Sequence, residues 1–375
     1  MANANQVALG RSNLSTGTGY GGANDKYALY LKLFSGEMFK GFQHETIARD
    51  LVTKRTLRNG KSLQFVYTGR MSSSFHTPGT PILGNSDKAP PVAEKTIVMD
   101  DLLISSAFVY DLDETLAHYE LRGEISKKIG YALAEKYDRL IFRSITRGAR
   151  SASPVSATNF VEPGGTQIRV GSTTNESDAF DAGALVNAFY DAAAALDEKG
   201  VSTDGRCAVL NPRQYYSLIQ NVGSNGLVNR DVQGDALQGG SGVIEIAGIH
   251  IYKSMNIPFL GKYGIKYGGT TGETSPGNLG SFIGPTPENA NATGGVNNDY
   301  GTNAELGAKS AGLIFQKEAA GVVEAIGPQV QVTNGDVSVI YQGDVILGRM
   351  AMGADYLNPA AAVELYVGTT APSAF

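Results

Sequence analysis

At 375 residues, with 42% hydrophobic and 18% charged side chains, the chain can build two modest domains or one domain with long extensions. No apolar run reaches the ~18 residues a membrane helix needs, and Met1 to Asn5 lack the charged and apolar parts of a secretory leader. A single cysteine, Cys207, excludes a disulfide framework within the chain and fits a reducing cytoplasm. The net charge of −5 is unevenly spread. Residues 1–70 hold ten basic and four acidic groups, leaving a surplus of eleven negative charges on the rest. A basic arm on an acidic body points to contact between subunits, with nucleic acid or a plain solvated face as the alternatives. The 47 glycines announce many turns and close backbone approaches.

In chain order, residues 1–22 are Asn, Gly, Ser and Thr with few apolar anchors, a composition that predicts disorder outside an assembly. From Asp25 to Phe42 the apolar residues Tyr27, Leu31, Phe34 and Met38 fall at helical spacing, and residues 43–60 read as an extended linker. Between Gly60 and Tyr110 two strands are joined by a Ser-, Gly- and Pro-rich tip, Met71 to Pro91. The outgoing arm, Leu63 to Tyr67, alternates. The returning arm runs from Thr96 through Leu102-Leu103-Ile104 and is apolar on both faces. A lone two-stranded ribbon is marginal in water, and no spare face of the chain is apparent to receive it. Another copy of the protein is the expected support. Asp113 reads as the N-cap of a helix reaching Arg147, with Ile125, Ile129, Leu133, Tyr137, Ile141 and Ile145 as one apolar stripe and Gly148 as its stop. Acidic residues crowd its start and basic ones its end, complementing the helix dipole. Its length of roughly 50 Å suits a strut.

Beyond a short strand at Thr166–Val170, a second amphipathic helix is predicted from Ala179 to Lys199, with Leu185, Phe189, Ala192 and Leu196 inward and Gly200 ending it. Cys207 to Leu210 reads as a buried strand, and Asn211-Pro212 opens a helix. Ile244–Ile246 and Ile249–Tyr252 form a hairpin about Ala247-Gly248. Residues 261–312 contain 13 glycines among Asn, Thr and Pro and read as an inserted surface loop. Strands resume at Gly327, with an Asn334-Gly335 turn, then Val345–Met352 and Ala360–Val367.

Motifs of catalysis are broken. Gly17-Thr18-Gly19-Tyr20-Gly21-Gly22 matches GxGxxG without a preceding strand. Gly60-Lys61-Ser62 has Arg55 where a P-loop needs Gly, and His44-Glu45 has Ala48 where a zinc motif needs its second His. The four histidines, His44, His76, His118 and His250, fall in separate elements. No catalytic residue, cofactor or metal ligand is expected, and the chain reads as a structural protein and not an enzyme.

The order of elements resembles the HK97-type capsid fold of tailed phages. The likeness is carried by Ala208 to Pro212 leading into a helix, by Gly248 to Pro258, and by Gly353 through Leu357-Asn358-Pro359 to Val363. Asp25 to Glu37 and Asn59 to Arg70 look closer still to the major capsid proteins of T7-like podophages, a marine cyanophage being the expected source. Met350 stands where that pattern places an aromatic. The resemblance implies an α+β fold: an N-terminal arm (1–58), an extended E-loop β-ribbon (59–110), and a peripheral domain with a long spine helix (111–178). An α/β axial domain (179–326) follows, carrying the 261–312 insertion, and closing strands (327–375) are shared by the peripheral and axial domains. It also implies a homo-oligomer of hexamers and pentamers in an icosahedral virion shell (T=7 in this group) assembled in the host cytoplasm. The implied partners are a scaffolding protein, a portal at one vertex and non-specifically packaged double-stranded DNA, with no membrane. An encapsulin-type nanocompartment and a glycan-binding virion adhesin are the alternatives. Phe65, Tyr67, Arg70, Ile97, Lys26, Lys32 and Arg55 are the expected inter-subunit contacts. Some relatives of this fold weld subunits by a Lys–Asn isopeptide bond assisted by a Glu. Lys88, Asn358 and Glu364 are the matching residue types, although the T7-like group is not expected to cross-link.

Overall fold

The computed structural model describes residues 46–70, 73, 75–81, 92–99, 102–110, 121–157, 160–171, 176–220, 244–254, 256–257, 310–332, 341–368 and 371. The predicted Asp25–Phe42 helix, most of the loop tip, the Asp113 cap, nearly all of the Gly-rich insertion and the Asn334-Gly335 turn lie outside these residues. Along the chain, helix α1 (Ala48–Leu51) leads to β1 (Thr53–Thr56), β2 (Ser62–Thr68), β3 (Val92–Val98), β4 (Leu103–Tyr110) and the long helix α2 (Leu121–Ala149). Strands β5 (Ser156–Ala157), β6 (Phe160–Val161) and β7 (Thr166–Arg169) precede α3 (Ala182–Glu198), β8 (Arg206–Leu210) and α4 (Pro212–Gln220). The hairpin β9 (Ile244–Ile246) and β10 (Ile249–Lys253) is followed by β11 (Ser310–Gln316), β12 (Ala320–Val332), β13 (Gly343–Tyr356) and β14 (Ala362–Tyr366). The chain divides into two units, with α2, β12 and β13 passing through both.

Among the described residues, the smaller unit takes Leu102–Glu135 and Ile326–Ala351. Strand β4 runs antiparallel to β13 from Gly343↔Tyr110 to Met350↔Leu103. Ile129 and Leu133 of α2 are buried, as are Val109, Ile346 and Met350. A Cβ on Gly348 would come within 2.3 Å of the Ile129 side chain, so the helix lies directly on β13.

The larger unit holds a six-stranded mixed sheet in the order β7-β14-β11-β8-β10-β9. Strands β8 and β11 are buried along their whole length, which is why Cys207-Ala208-Val209-Leu210 and Leu313-Ile314-Phe315 are continuous apolar runs. The predicted inward residues of α3 (Leu185, Phe189, Ala192, Leu196) are all 0% exposed, and the Asp181 carboxylate caps the helix by accepting from the Gly183 N–H. Ala247 and Gly248 turn the β9–β10 hairpin with φ of 53° and 75°.

Four expectations are corrected. Residues 43–60 are not a plain linker: within the described part, α1 and β1 form, and β1 pairs in parallel with β12 from Thr53↔Gly321 to Thr56↔Glu324. The returning arm of the ribbon ends at Val98, and Leu103-Ile104 belong to β4 in the other unit. Gly148 does not stop the strut, which continues to Ala149. A Cβ on Gly148 would sit 2.9 Å from Tyr356 Cβ, so glycine permits close packing there. Strand β11 begins at Ser310 inside the predicted insertion, and β12 begins at Ala320 and not at Gly327. Glycines at 312, 321 and 327 masked strands whose side-chain-free positions are packing contacts at 312 and 321.

Candidate assembly surface

Strands β2 and β3 form the expected ribbon, paired from Ser62↔Val98 to Thr68↔Val92. Because side chains alternate, Leu63, Phe65 and Tyr67 share one face and Gln64, Val66 and Thr68 the other. The inner face has a seat on its own chain. Ile97, Leu57 and Val323 form a buried cluster, and Leu63, Phe65, Met99 and Leu357 pack against it. Lys95 reinforces the seat: its ammonium lies 2.9 Å from Asp355 and 3.7 Å from the Tyr356 ring centre. The expectation that this ribbon lacks intramolecular support is therefore overturned at its root. Sequence hid the seat because its parts are spread over residues 57, 97, 323 and 357.

The candidate contact residues fall into different settings. Ile97 is 1% exposed and sits in the buried cluster of its own chain. Phe65 and Tyr67 are half-buried, and Arg55 is exposed with its guanidinium 5.7 Å from the Phe65 ring centre. Arg70 binds Glu162 through both backbone N–H and guanidinium, and also donates to the Lys199 carbonyl. Burial and the nearby Glu162 charge push the Tyr67 hydroxyl above its usual range, against the pull of Arg70. Lys26 and Lys32 lie outside the described residues. Together the ribbon's inner face and the body enclose a cleft of about 510 Å³, with Arg55, Arg70, Lys95, Lys199, Glu162 and Glu318 on its walls. The outer face is open. Val66, Val92 and Val98 are 71%, 61% and 43% exposed. The period-two alternation of β2 was the signal that could have singled out Val66; it fixes two faces without saying which one turns inward.

Residues that could have carried chemistry are engaged structurally. The Glu364 carboxylate, 0% exposed, receives Arg150 Nε at 2.7 Å, Arg150 Nη2 at 2.6 Å and Gln167 Nε2 at 2.9 Å. Asn358 accepts from the Ala360 N–H at 3.1 Å and caps a turn, while Lys88 lies outside the described residues. Burial pushes the Cys207 thiol up to about 12, far from a working thiolate. Glu324 gathers Tyr137 Oη at 2.7 Å, Lys54 at 2.8 Å and Arg49 at 3.2 Å. Burial raises the Glu324 carboxyl, but those bonds outweigh it and leave it below the usual range. Among the described residues, no three His, Cys, Asp or Glu side chains are grouped to hold a metal, and no helix is long and apolar enough to cross a membrane.

A rooted ribbon, a long helix and a mixed sheet with helices are the parts of an HK97-like phage capsid fold, and solved capsids confirm the class. The capsid structure of the cyanophage P-SCSP1u superposes with a TM-score of 0.67 and 32% identity, covering 98% of this chain and 100% of that one. The mature capsid of bacteriophage PhiM1, at 12% identity and a TM-score of 0.62 over 90% of this chain and 92% of that one, shares the fold. The sequence profile of the Gp10A-like major capsid proteins matches residues 64–366, and the chain belongs to that family. It is similar to the major capsid protein of Escherichia phage T7, 26% identical over 92% of this chain and 94% of that protein. The protein is thus a T7-like phage major capsid protein, a structural component of the virion shell.

Proposed function

We propose that copies of this chain assemble as hexamers and pentamers into a closed icosahedral shell around double-stranded DNA, each ribbon lying across a neighbouring subunit. The observation that carries the reading is the ribbon's outer face. Its root is fixed on its own body, yet Val66, Val92 and Val98 remain open to solvent, and such a face on a two-stranded element favours burial against another surface. Phe65, Tyr67, Arg70, Arg55, Lys26 and Lys32 are further contacts in this reading, Phe65 and Tyr67 through the part of the inner face that their own chain leaves exposed. Obligate interfaces of this kind bury upwards of ~2,000 Å² in total. A scaffolding protein guides assembly in the host cytoplasm and a portal fills one vertex. The acidic balance of the chain beyond residue 70 suits a wall that holds packaged DNA weakly, since tight phosphate contacts would hinder its movement. The role is structural and not enzymatic, a reading that rests on the family being one of capsid proteins.

Val66→Asp, expressed together with the scaffolding protein, tests this. Negative-stain microscopy should show no closed particles while circular dichroism shows a folded subunit. Particles in normal yield would refute the outer-face contact.

A further inference from the structure

At Thr46, where the described structure begins, the chain meets the body beside a buried carboxylate. Asp138, midway along α2, is 0% exposed. Its Oδ2 accepts from the Ile47 N–H at 3.1 Å and its Oδ1 from the Ala48 N–H at 3.2 Å, with Asn256 Nδ2 3.5 Å from Oδ2. All three donors are neutral. Among the described residues, the charged groups nearby make no bond to it. On the arm side, Arg49 turns to Glu324 at 3.2 Å and Asp50 is exposed. On the loop side, Ser254, Asn256 and Ile257 carry no charge. Along the helix, Lys136 and Arg139 flank Asp138 in sequence, and Tyr137 donates to Glu324 at 2.7 Å.

A buried anion held by neutral donors is costly, because three hydrogen bonds do not replace its full hydration shell. Ala48 and Val52, 0% and 2% exposed, belong to the segment seated over this part of the helix. Lifting residues 46–52 would let water reach the carboxylate and remove that cost. We propose that Asp138 makes the seat of residues 46–52 proton-dependent, tight when the carboxyl is protonated and looser once it ionises.

Burial raises Asp138 to about 6, and the bonds from Ile47, Ala48 and Asn256 only moderate the rise. A hydrated aspartate titrates near ~3.9. The seated form therefore binds the proton more tightly than the lifted form. Its extra stability is complete below about pH 4 and is lost as pH rises through about 6. Between about pH 5 and pH 8 the seating constant should fall roughly tenfold. The seat is a property of one chain, so its test is independent of shell building.

Hydrogen–deuterium exchange on the full-length subunit, corrected for the pH dependence of intrinsic exchange, reads this directly. Ile47 and Ala48 amides should be about tenfold better protected near pH 5 than near pH 8, relative to reference amides of α3. Asp138→Asn should flatten the dependence. Equal protection at the two pH values, better protection at pH 8, or an unchanged dependence in the variant would overturn the proposal. Should Asp138→Asn fail to fold, the wild-type titration decides by itself.

Discussion

Replacing Arg150 by Met separates a buried ion pair from its surroundings in a way the structure lets one size. The two side chains are 1% and 0% exposed, and Arg150 meets Glu364 in a bidentate contact at 2.7 and 2.6 Å. Without the guanidinium, the carboxylate keeps the neutral Gln167 donor at 2.9 Å. An uncompensated charge of this kind costs about 3–5 kcal/mol, far more than the intact pair contributes over an apolar replacement. For a body of this size about 2–4 °C accompanies each kcal/mol, so the melting temperature should fall by roughly 6–20 °C. Urea unfolding of the unassembled subunit, followed by circular dichroism, measures the loss. The double variant Arg150→Met with Glu364→Leu should recover most of it, because no charge is then left buried. A loss below about 1 kcal/mol in the single variant, or a double variant no more stable than the single, would refute the reasoning.

Phe65→Asp should unseat the ribbon root from Leu57, Ile97 and Val323, giving no particles by microscopy and raised proteolysis between residues 57 and 99, with α3 still protected. Gly148→Ala should destabilise the subunit by about 1–3 kcal/mol in thermal unfolding, since the added methyl meets Tyr356 Cβ at 2.9 Å. Ala247→Asn should raise stability by about 0.5–1 kcal/mol in the same assay, because Ala247 holds φ of 53° in a two-residue turn that favours Asn-Gly.

Much of the local structure was legible in the amino-acid order. The four-residue recurrence from Ile129 to Ile145 determined a long helix whose stripe is buried, but it missed that from Lys136 onward the helix is buried on nearly every face, Phe142, Ser144 and Thr146 included. Asn211-Pro212 placed the start of α4, and Ala247-Gly248 placed a tight turn. These signals act over a few residues, through backbone sterics and the periodicity of apolar side chains. Alternation in β2 likewise determined two faces for the ribbon. It could not choose the inner one, because that choice depends on Val323 and Leu357, far along the chain.

Tertiary structure decided the rest. The parallel pairing of β8 with β10, the seating of β1 on β12 and the glycine at the Gly148–Tyr356 contact join segments whose local sequences say nothing of each other. Glu364 and Asp138 make the point most sharply. As isolated letters they are ordinary acids. Each acquired its character from a partner far away, Arg150 at a separation of 214 residues and Ile47 at 91. A carboxylate's ionisation and strength depend on burial and nearby charge, and folding alone brings those together.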